Sequence, residues 1–184
     1  MPDLAGPKTI YFGFTGYIEP AGVSRIAAAF NMAINQNNDE VCLCFSSLGG
    51  TIADGIYLYN HIRALPIKTT IYNIGSVSSI AVVVFVAAEQ RYCSSHAMFM
   101  VHPTTMPSNE NMAWHRLKGA LDSALADDQR TENILRERTK IPPELLQNRR
   151  FHDVHIIPEK ALEFGLVHGV RDFSLPKGNQ IIQI

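Results

Sequence analysis

The sequence of 184 residues has no long hydrophobic run and no excess of charge of either sign. Its most apolar stretch, residues 80–88, is about half as long as a membrane-spanning helix must be. The formal net charge of −1 excludes the clusters of Lys and Arg that neutralise phosphates in sequence-independent nucleic-acid binding. We therefore expect neither a membrane protein nor a nucleic-acid-binding protein.

Cysteine is also scarce, and no leader segment is evident. Cys42, Cys44 and Cys93 form no C-x-x-C pair, so the sequence supports neither a zinc site nor a disulfide framework. Residues 1–8 lack the basic stretch and the apolar run of a signal peptide. These absences favour a cytoplasmic protein that holds no metal and no cofactor.

What the sequence does contain is an alternation of short apolar strands with amphipathic helices. Its hydrophobic periodicity predicts strands at 9–14, 41–45, 68–74, 91–93, 97–101 and 166–170. It predicts helices at 21–35, 51–65, 79–89, 109–139 and 158–164, with turns at 75–78 and 106–109. This order is typical of an α/β fold with mainly parallel strands, and the length favours one domain over residues 1–184.

The helix expected at about 109–139 is unusually long, and Ser108 is its candidate cap. At 1.5 Å per residue it would span about 45 Å, the width of a whole small domain. Trp114, Leu117 and Leu121 form an apolar stripe in its first half, whereas its second half is rich in charge. We expect this helix to project from the body and to contact another subunit.

A candidate nucleophile lies where a predicted strand and glycine turn lead into a helix. Ser79, with Ser78 before it, places a hydroxyl at the start of that helix, where the backbone N–H groups favour developing negative charge. A serine at this position also serves as an ordinary helix cap. The local sequence leaves both interpretations open.

His102 and Asp153 are a candidate base and a candidate carboxylate. His102 ends an apolar strand, and ligands of parallel sheets bind at such strand ends. A lone histidine is more often structural, and a loop aspartate such as Asp153 is more often simply solvated. Together, however, Ser79, His102 and Asp153 supply a nucleophile, a base suited to neutral pH and a carboxylate that fixes the tautomer of the base.

The glycine pair after the second strand adds a fourth element. Without a side chain, Gly50 can turn its N–H toward a carbonyl oxygen, and the N–H of Ile80 can complete an oxyanion hole with it. These groups fall on consecutive loops of the predicted fold. Their coincidence favours an enzyme.

Four blocks of the chain resemble the proteolytic subunit of Clp protease, the ClpP family. They are FSSLGGT at 45–51, GSVSSIA at 75–81, MVHP at 100–103 and PEKALEFGLV at 158–167, with Asp153 ahead of the last. Their order and spacing extend over roughly residues 9–170. The resemblance implies the ClpP/crotonase fold, a superhelix of ββα units with a projecting handle helix, here residues 109–139.

The resemblance also implies a role for each candidate residue. It maps the nucleophile to Ser79 rather than Ser78, the base to His102 and the orienting carboxylate to Asp153. It maps the oxyanion N–H and the peptide-binding edge to the loop of Gly49 and Gly50. The implied activity is that of an ATP-dependent serine endopeptidase that cleaves peptides or unfolded proteins inside an oligomeric chamber.

The implied partners are further copies of the chain, in heptameric rings that stack through the handle helix, and an AAA+ unfoldase. The chain has no G-x-x-x-x-G-K-[ST] loop, so a partner must supply ATP-driven unfolding. In the family, an N-terminal segment forms axial loops that engage the ATPase. Only eight residues precede the first predicted strand, so the sequence leaves the docking of this partner open.

Two other functions stay open at this stage. Leu48, Ser76, Ala81 and Pro103 differ from the usual ClpP residues, which fits a catalytically weak or inactive ring subunit with a structural or regulatory role. A crotonase-like acyl-CoA enzyme would share the oxyanion geometry. That chemistry would leave Ser79 and His102 without a role, so we rank it last.

Overall fold

The computed structural model describes residues 6–105, 113–149 and 151–184. The strands in this part of the chain are β1 Thr9–Thr15, β2 Glu40–Ser47, β3 Lys68–Ser78, β4 Gln90–Cys93, β5 Met98–Val101, β6 Val154–Ile156, β7 Gly169–Val170 and β8 Ile181–Gln183. The helices are α1 Pro20–Asn35, α2 Ile52–Ala64, α3 Ile80–Phe85, α4 Trp114–Arg138, α5 Pro143–Asn148 and α6 Pro158–Glu163. This alternation confirms the α/β class.

The strands form one sheet in the order β6-β5-β3-β2-β1-β8, with β4 beside β3 and β7 beside β4. Strand β3 is long enough to serve two neighbours: Thr70–Asn73 pair with β4, and Ser76–Ser78 pair with β5. All described pairs are parallel except β5 with β6, which are antiparallel. The C-terminal ends of β2, β3 and β5 therefore reach the same region of the sheet.

Helix α3 occupies the centre of the core. Every residue from Ile80 to Ala88 is at most 3% exposed, and Phe85 packs edge-on against Phe99 of β5. Valine-rich segments are weak helix formers in isolation, so burial must stabilise this one. The sequence-based expectation of a helix held by its surroundings agrees with this environment, although α3 ends at Phe85 and not at residue 89.

The turn predicted at residues 75–78 is wrong, because β3 continues through them to Ser78. The register of β2 against β3 shifts between Phe45 and Ser47, which interrupts the backbone hydrogen bonds between the two strands. Side chains supply hydrogen bonds in their place. The Ser46 hydroxyl donates to the Ser76 carbonyl and accepts from the Ser76 N–H, at 3.2 and 3.3 Å. The buried Asn73 amide donates to the Met98 carbonyl at 2.9 Å, and its oxygen accepts from the Gly75 N–H.

The long helix α4 is described from Trp114 to Arg138. Its predicted start at residue 109 and the Ser108 cap lie outside the described residues. Four large apolar side chains of its first half are 49–76% exposed: Trp114, Leu117, Leu121 and Leu125. Leu135, in the second half, is buried against the core. None of the described helices is both long enough and apolar enough to cross a membrane.

Three short elements were not predicted: α5, β6 and β8. The segment from Arg149 to His155 was expected to be a loop, but Val154–Ile156 pair with β5. Strands of three residues carry too little periodicity to stand out in sequence. This correction matters for function, because β6 begins directly after Asp153.

Candidate active site

A cleft of about 540 Å³ lies where β2, β3 and β5 end, and α4 forms its far wall. Gly50, Ser79, Ile80 and His102 all line it. Its volume lies within the range that is typical of ligand-binding pockets. The fold therefore brings four of the sequence-predicted site residues to one cavity.

Ser79 has a backbone conformation that is rare for a residue with a side chain. Its φ is 58° and its ψ is −133°, in the region that glycine normally occupies. Strain of this kind costs about 1–3 kcal/mol and concentrates at functional sites. The N–H of Ser79 donates to the Met100 carbonyl at 2.8 Å, which fixes the residue between β3 and α3. Ser79 is only partly buried.

The glycine loop passes directly over Ser79. A Cβ added to Gly49 would lie 2.6 Å from the Ser79 Cβ, and one added to Gly50 would lie 2.1 Å from the Ile18 carbonyl oxygen. Their φ values of +106° and +155° also disfavour any side chain. Hydrogen bonds of 2.8 Å join the Ile18 N–H to the Gly49 carbonyl and the Thr51 N–H to the Ile18 carbonyl. Only glycine therefore fits at positions 49 and 50.

Two backbone N–H groups at the cleft have no acceptor in the described part of the chain. They belong to Gly50 and to Ile80, the first residue of α3. An N–H at the first helical position has no partner within its own helix. Both groups are thus available to a carbonyl oxygen or an oxyanion placed in the cleft.

His102 and Asp153 lie next to the shared end of the antiparallel strands β5 and β6. Val101 lies opposite Val154, so His102 directly follows, and Asp153 directly precedes, the last pair of this ladder. Asp153 is exposed and is not among the residues that line the cleft.

Within the described residues, no hydrogen bond joins the side chains of Ser79, His102 and Asp153 to one another. The ends of β5 and β6 lie side by side, but the three side chains do not form a hydrogen-bonded triad. Catalytic hydrogen bonds are often long in ligand-free proteins and shorten when substrate binds.

The far wall of the cleft is polar. Its charged residues are Asp127, Asp128, Arg130 and Arg149. Asp127 forms an ion pair with Arg130, three residues along the same helix. The Asp128 carboxylate instead accepts two hydrogen bonds from Thr104, in the segment that follows His102.

Comparison with known proteins identifies the family. The model of the Clp protease family matches residues 15–173, which is most of the chain. The chain belongs to this family. It is 22% identical over 172 residues to the ATP-dependent Clp protease proteolytic subunit 2 of Pseudomonas aeruginosa, covering 88% of this chain and 83% of that protein. Its identity to the subunit 2 of Chlamydia muridarum is 26% over 154 residues, with 83% and 75% covered.

The fold of this Clp protease family member is also that of a solved structure. A point mutant of ClpP1 from Listeria monocytogenes superposes with a TM-score of 0.74 at 17% identity, and 90% of this chain and 91% of that chain are covered. At this identity the likeness establishes the fold. The match to the family model confirms the sequence-based resemblance to the ClpP family.

Sequence reasoning missed the polar wall of the cleft. Asp128, Thr131 and Glu132 are buried on α4, and Arg149 is buried after α5. The available signal was their spacing, because residues three and four apart share one face of a helix. The high charge of this half of the helix suggested a solvated face instead.

The cysteines lie outside the cleft and do not suit thiolate chemistry. Burial raises the pKa of Cys42 to about 12 and the pKa of Cys44 and of Cys93 to about 11. Neutral thiols in such surroundings are inert. Across residues 6–105, 113–149 and 151–184, no three His, Cys, Asp or Glu side chains form a group suited to a metal ion.

Proposed function

We propose that this chain is an active serine endopeptidase of the Clp type, with Ser79 as its nucleophile. The observation that carries the proposal is the strained backbone of Ser79 in the same cleft as His102 and the N–H groups of Gly50 and Ile80. A serine held in this way presents its hydroxyl to a bound carbonyl group. Membership in a family of proteases supports this chemistry.

In the proposed reaction, the Ser79 Oγ attacks the carbonyl carbon of a peptide bond while His102 takes its proton. The carbonyl π electrons move to oxygen, and the N–H groups of Gly50 and Ile80 stabilise this oxyanion. The intermediate collapses, the C–N bond breaks, and His102 returns the proton to the leaving amine. Water then hydrolyses the acyl-enzyme by the same steps.

Asp153 holds the imidazole of His102 in the tautomer that can accept the Ser79 proton, and stabilises the imidazolium that forms. This role is supported by the position of both residues directly beside the last pair of β5 and β6, Val101 and Val154. It requires the two side chains to close on each other when substrate binds or subunits assemble.

The substrate is an extended peptide segment that adds along the loop of Gly49 and Gly50. The subunits form rings that enclose a chamber, and the exposed apolar stripe of α4 joins opposing rings. The relatives are named as subunits of an ATP-dependent protease. We therefore extend the proposal to an AAA+ unfoldase that delivers unfolded protein.

A catalytically weak or inactive ring subunit is the second candidate. It is favoured by the absence of a described hydrogen bond among Ser79, His102 and Asp153. A crotonase-like acyl-CoA enzyme is disfavoured, because the carboxylates of the cleft are already paired: Asp127 with Arg130, and Asp128 with Thr104.

A fluorophosphonate probe distinguishes the two candidates. The native assembly is incubated with the probe and digested, and the modified peptide is sequenced by mass spectrometry, in parallel with hydrolysis of a short fluorogenic peptide. We expect one modification, on Ser79, and hydrolysis that the probe abolishes. An assembled protein with neither labelling nor hydrolysis would overturn the proposal in favour of the inactive subunit.

A further inference from the structure

Helix α4 makes a buried polar contact with the segment that follows His102. One oxygen of the Asp128 carboxylate, Oδ1, accepts the backbone N–H and the hydroxyl of Thr104, each at 2.8 Å. Asp128 is only 9% exposed. Hydrogen bonds to an ionised acceptor are stronger than neutral ones, and burial strengthens them further. Thr104 is therefore firmly held two residues after His102.

The same helical turn contacts the segment that leads to Asp153. The guanidinium of Arg149 donates to the Asp128 carbonyl at 2.7 Å and to the Thr131 hydroxyl at 3.0 Å. Arg149 is 3% exposed, and the Thr131 hydroxyl in turn donates within α4, to the Asp127 and Asp128 carbonyls. Arg149 thus docks on α4 four residues before Asp153.

These contacts converge on Asp128 from two directions. Its side chain holds the segment after His102, and its backbone holds the segment before Asp153. The two segments come from parts of the chain about 50 residues apart, and Asp128 contacts both of them. Removing the Asp128 side chain would therefore release the segment after His102, whereas the segment before Asp153 would stay bound to the backbone of α4.

We propose that Asp128 is a positioning residue, which sets the placement of His102, relative to Asp153 and Ser79, through its bonds to Thr104. This inference rests on the proposed peptidase function. Asp128 acts through Thr104 and donates no proton in the reaction. Catalysis is sensitive to such placement, because a displacement of about 1 Å can lower a rate by about 10²-fold.

The test compares Asp128→Ala with the conservative Asp128→Asn, and uses Glu137→Ala as the matched control. Glu137 is an exposed carboxylate of α4 away from the cleft. We expect Asp128→Ala to lower kcat by about 10- to 100-fold with KM nearly unchanged, since only placement of the base is lost. Asp128→Asn should recover most of the rate, because its amide oxygen can still accept both bonds from Thr104.

The assembly and the melting temperature of each variant are measured alongside, so that a loss of fold is not read as a loss of placement. If Asp128→Ala does not fold, Thr104→Val and Thr104→Ser decide. Thr104→Val removes only the hydrogen bond of the hydroxyl and should lower kcat. Thr104→Ser keeps a hydroxyl and should therefore keep a kcat near that of the wild-type protein. Wild-type kcat in the folded Asp128→Ala variant, or equal kcat for Thr104→Val and Thr104→Ser, would overturn the proposal.

Hydrogen exchange separates this inference from the proposed function. In Asp128→Ala, we expect faster amide exchange in the peptide covering residues 98–105, and unchanged exchange in the core peptide covering residues 80–88. A wild-type protein that shows no labelling and no hydrolysis would contradict the peptidase function alone. The exchange experiment would then decide the positioning claim, and unchanged exchange at residues 98–105 would overturn it.

Discussion

The N–H of Ser79 donates a hydrogen bond of 2.8 Å to the carbonyl of Met100. This bond continues the pairing of β3 with β5 one residue beyond Ser78 and Met100. It ties the candidate nucleophile to the strand that delivers His102 two residues later. A backbone hydrogen bond thus links Ser79 to β5, the strand that ends directly before His102.

Ser79→Ala should abolish labelling by a fluorophosphonate and should leave the assembly intact, because it removes one hydroxyl from a partly exposed side chain. Ser78→Ala is the matched control. Ser78 is 5% exposed and does not line the cleft, so this variant should keep its labelling. Mass spectrometry of the intact subunit measures the outcome. Labelling that persists in Ser79→Ala would contradict the assignment.

Asp153→Asn should lower the turnover of a short peptide substrate by several orders of magnitude. The amide keeps the shape of the side chain but favours the wrong tautomer of His102, a change that costs about 10⁴-fold in another serine protease. Steady-state kinetics with matched light scattering provides the measurement. Turnover equal to that of the wild-type protein would rule out this role for Asp153.

The position of Asp153 marks a limit of prediction from sequence. Asp153 lies about 50 positions after His102, and the three-residue strand that follows it, β6, pairs with β5 just before His102. Nothing in the local pattern around Asp153 predicts that strand. Its place in a predicted loop made Asp153 a candidate and the resemblance to ClpP implied its role, whereas the strand that ends at His102 was predictable from its apolar run.

Gly50→Ala should lower kcat by about 10²-fold or more and reduce stability. The new Cβ would lie 2.1 Å from the Ile18 carbonyl oxygen at a φ of +155°, so the loop must shift and carry its N–H away from the oxyanion. Loss of one oxyanion donor costs about 10²- to 10³-fold in other enzymes.

Gly6→Ala is the control for this effect, because nothing lies within 4 Å of a Cβ at Gly6. The kcat and the melting temperature of Gly50→Ala should both be lower than those of Gly6→Ala. A Gly50→Ala protein with the kcat of Gly6→Ala would show that the loop contributes no oxyanion donor.

His168 should make the fold sensitive to acid. Although His168 is exposed as a residue, local desolvation of its ring and the charges of Arg91 and Arg138 lower its pKa below the ordinary 6.5, and its Nδ1 accepts the Arg91 N–H at 3.1 Å. Protonation would break that bond. Below pH 6.5 the unfolded chain therefore binds more protons than the folded one, and stability falls as the pH falls.

The measurement is the denaturant midpoint at pH 7.5 and at pH 5.5 for the wild-type protein and for His168→Gln. We expect the midpoint of the wild-type protein to decrease more between these pH values, because only it carries the shifted imidazole. An equal decrease in both proteins would contradict the role of His168.

The strand, glycine loop and helix around Ser79 could largely be predicted, because apolar periodicity and glycine are local signals. The extension of β3 through residues 75–78 could not. It depends on hydrogen bonds from Ser46 and Asn73 to residues that lie 30 and 25 positions away. The buried turn of α4 at Asp128 was hidden for a similar reason, since a charged helix face is usually solvated and only tertiary contacts reveal otherwise.

Leu121→Glu should reduce the size of the particle without unfolding the subunit. Leu121 belongs to the exposed apolar stripe of α4, together with Trp114, Leu117 and Leu125. Large apolar side chains grouped in this way mark a contact surface. Burying an unpaired carboxylate in that contact would cost roughly several kcal/mol, and this cost would weaken the association of the subunits.

Asn133→Glu is the matched control, because Asn133 is exposed on the far half of α4 and lies outside the apolar stripe. Light scattering should report a smaller particle for Leu121→Glu and the wild-type size for Asn133→Glu, while circular dichroism confirms that both remain folded. An unchanged particle in Leu121→Glu would place the contact elsewhere on the subunit. A monomeric wild-type protein would contradict the chambered mechanism itself, because an open cleft would then act on folded surfaces without enclosure.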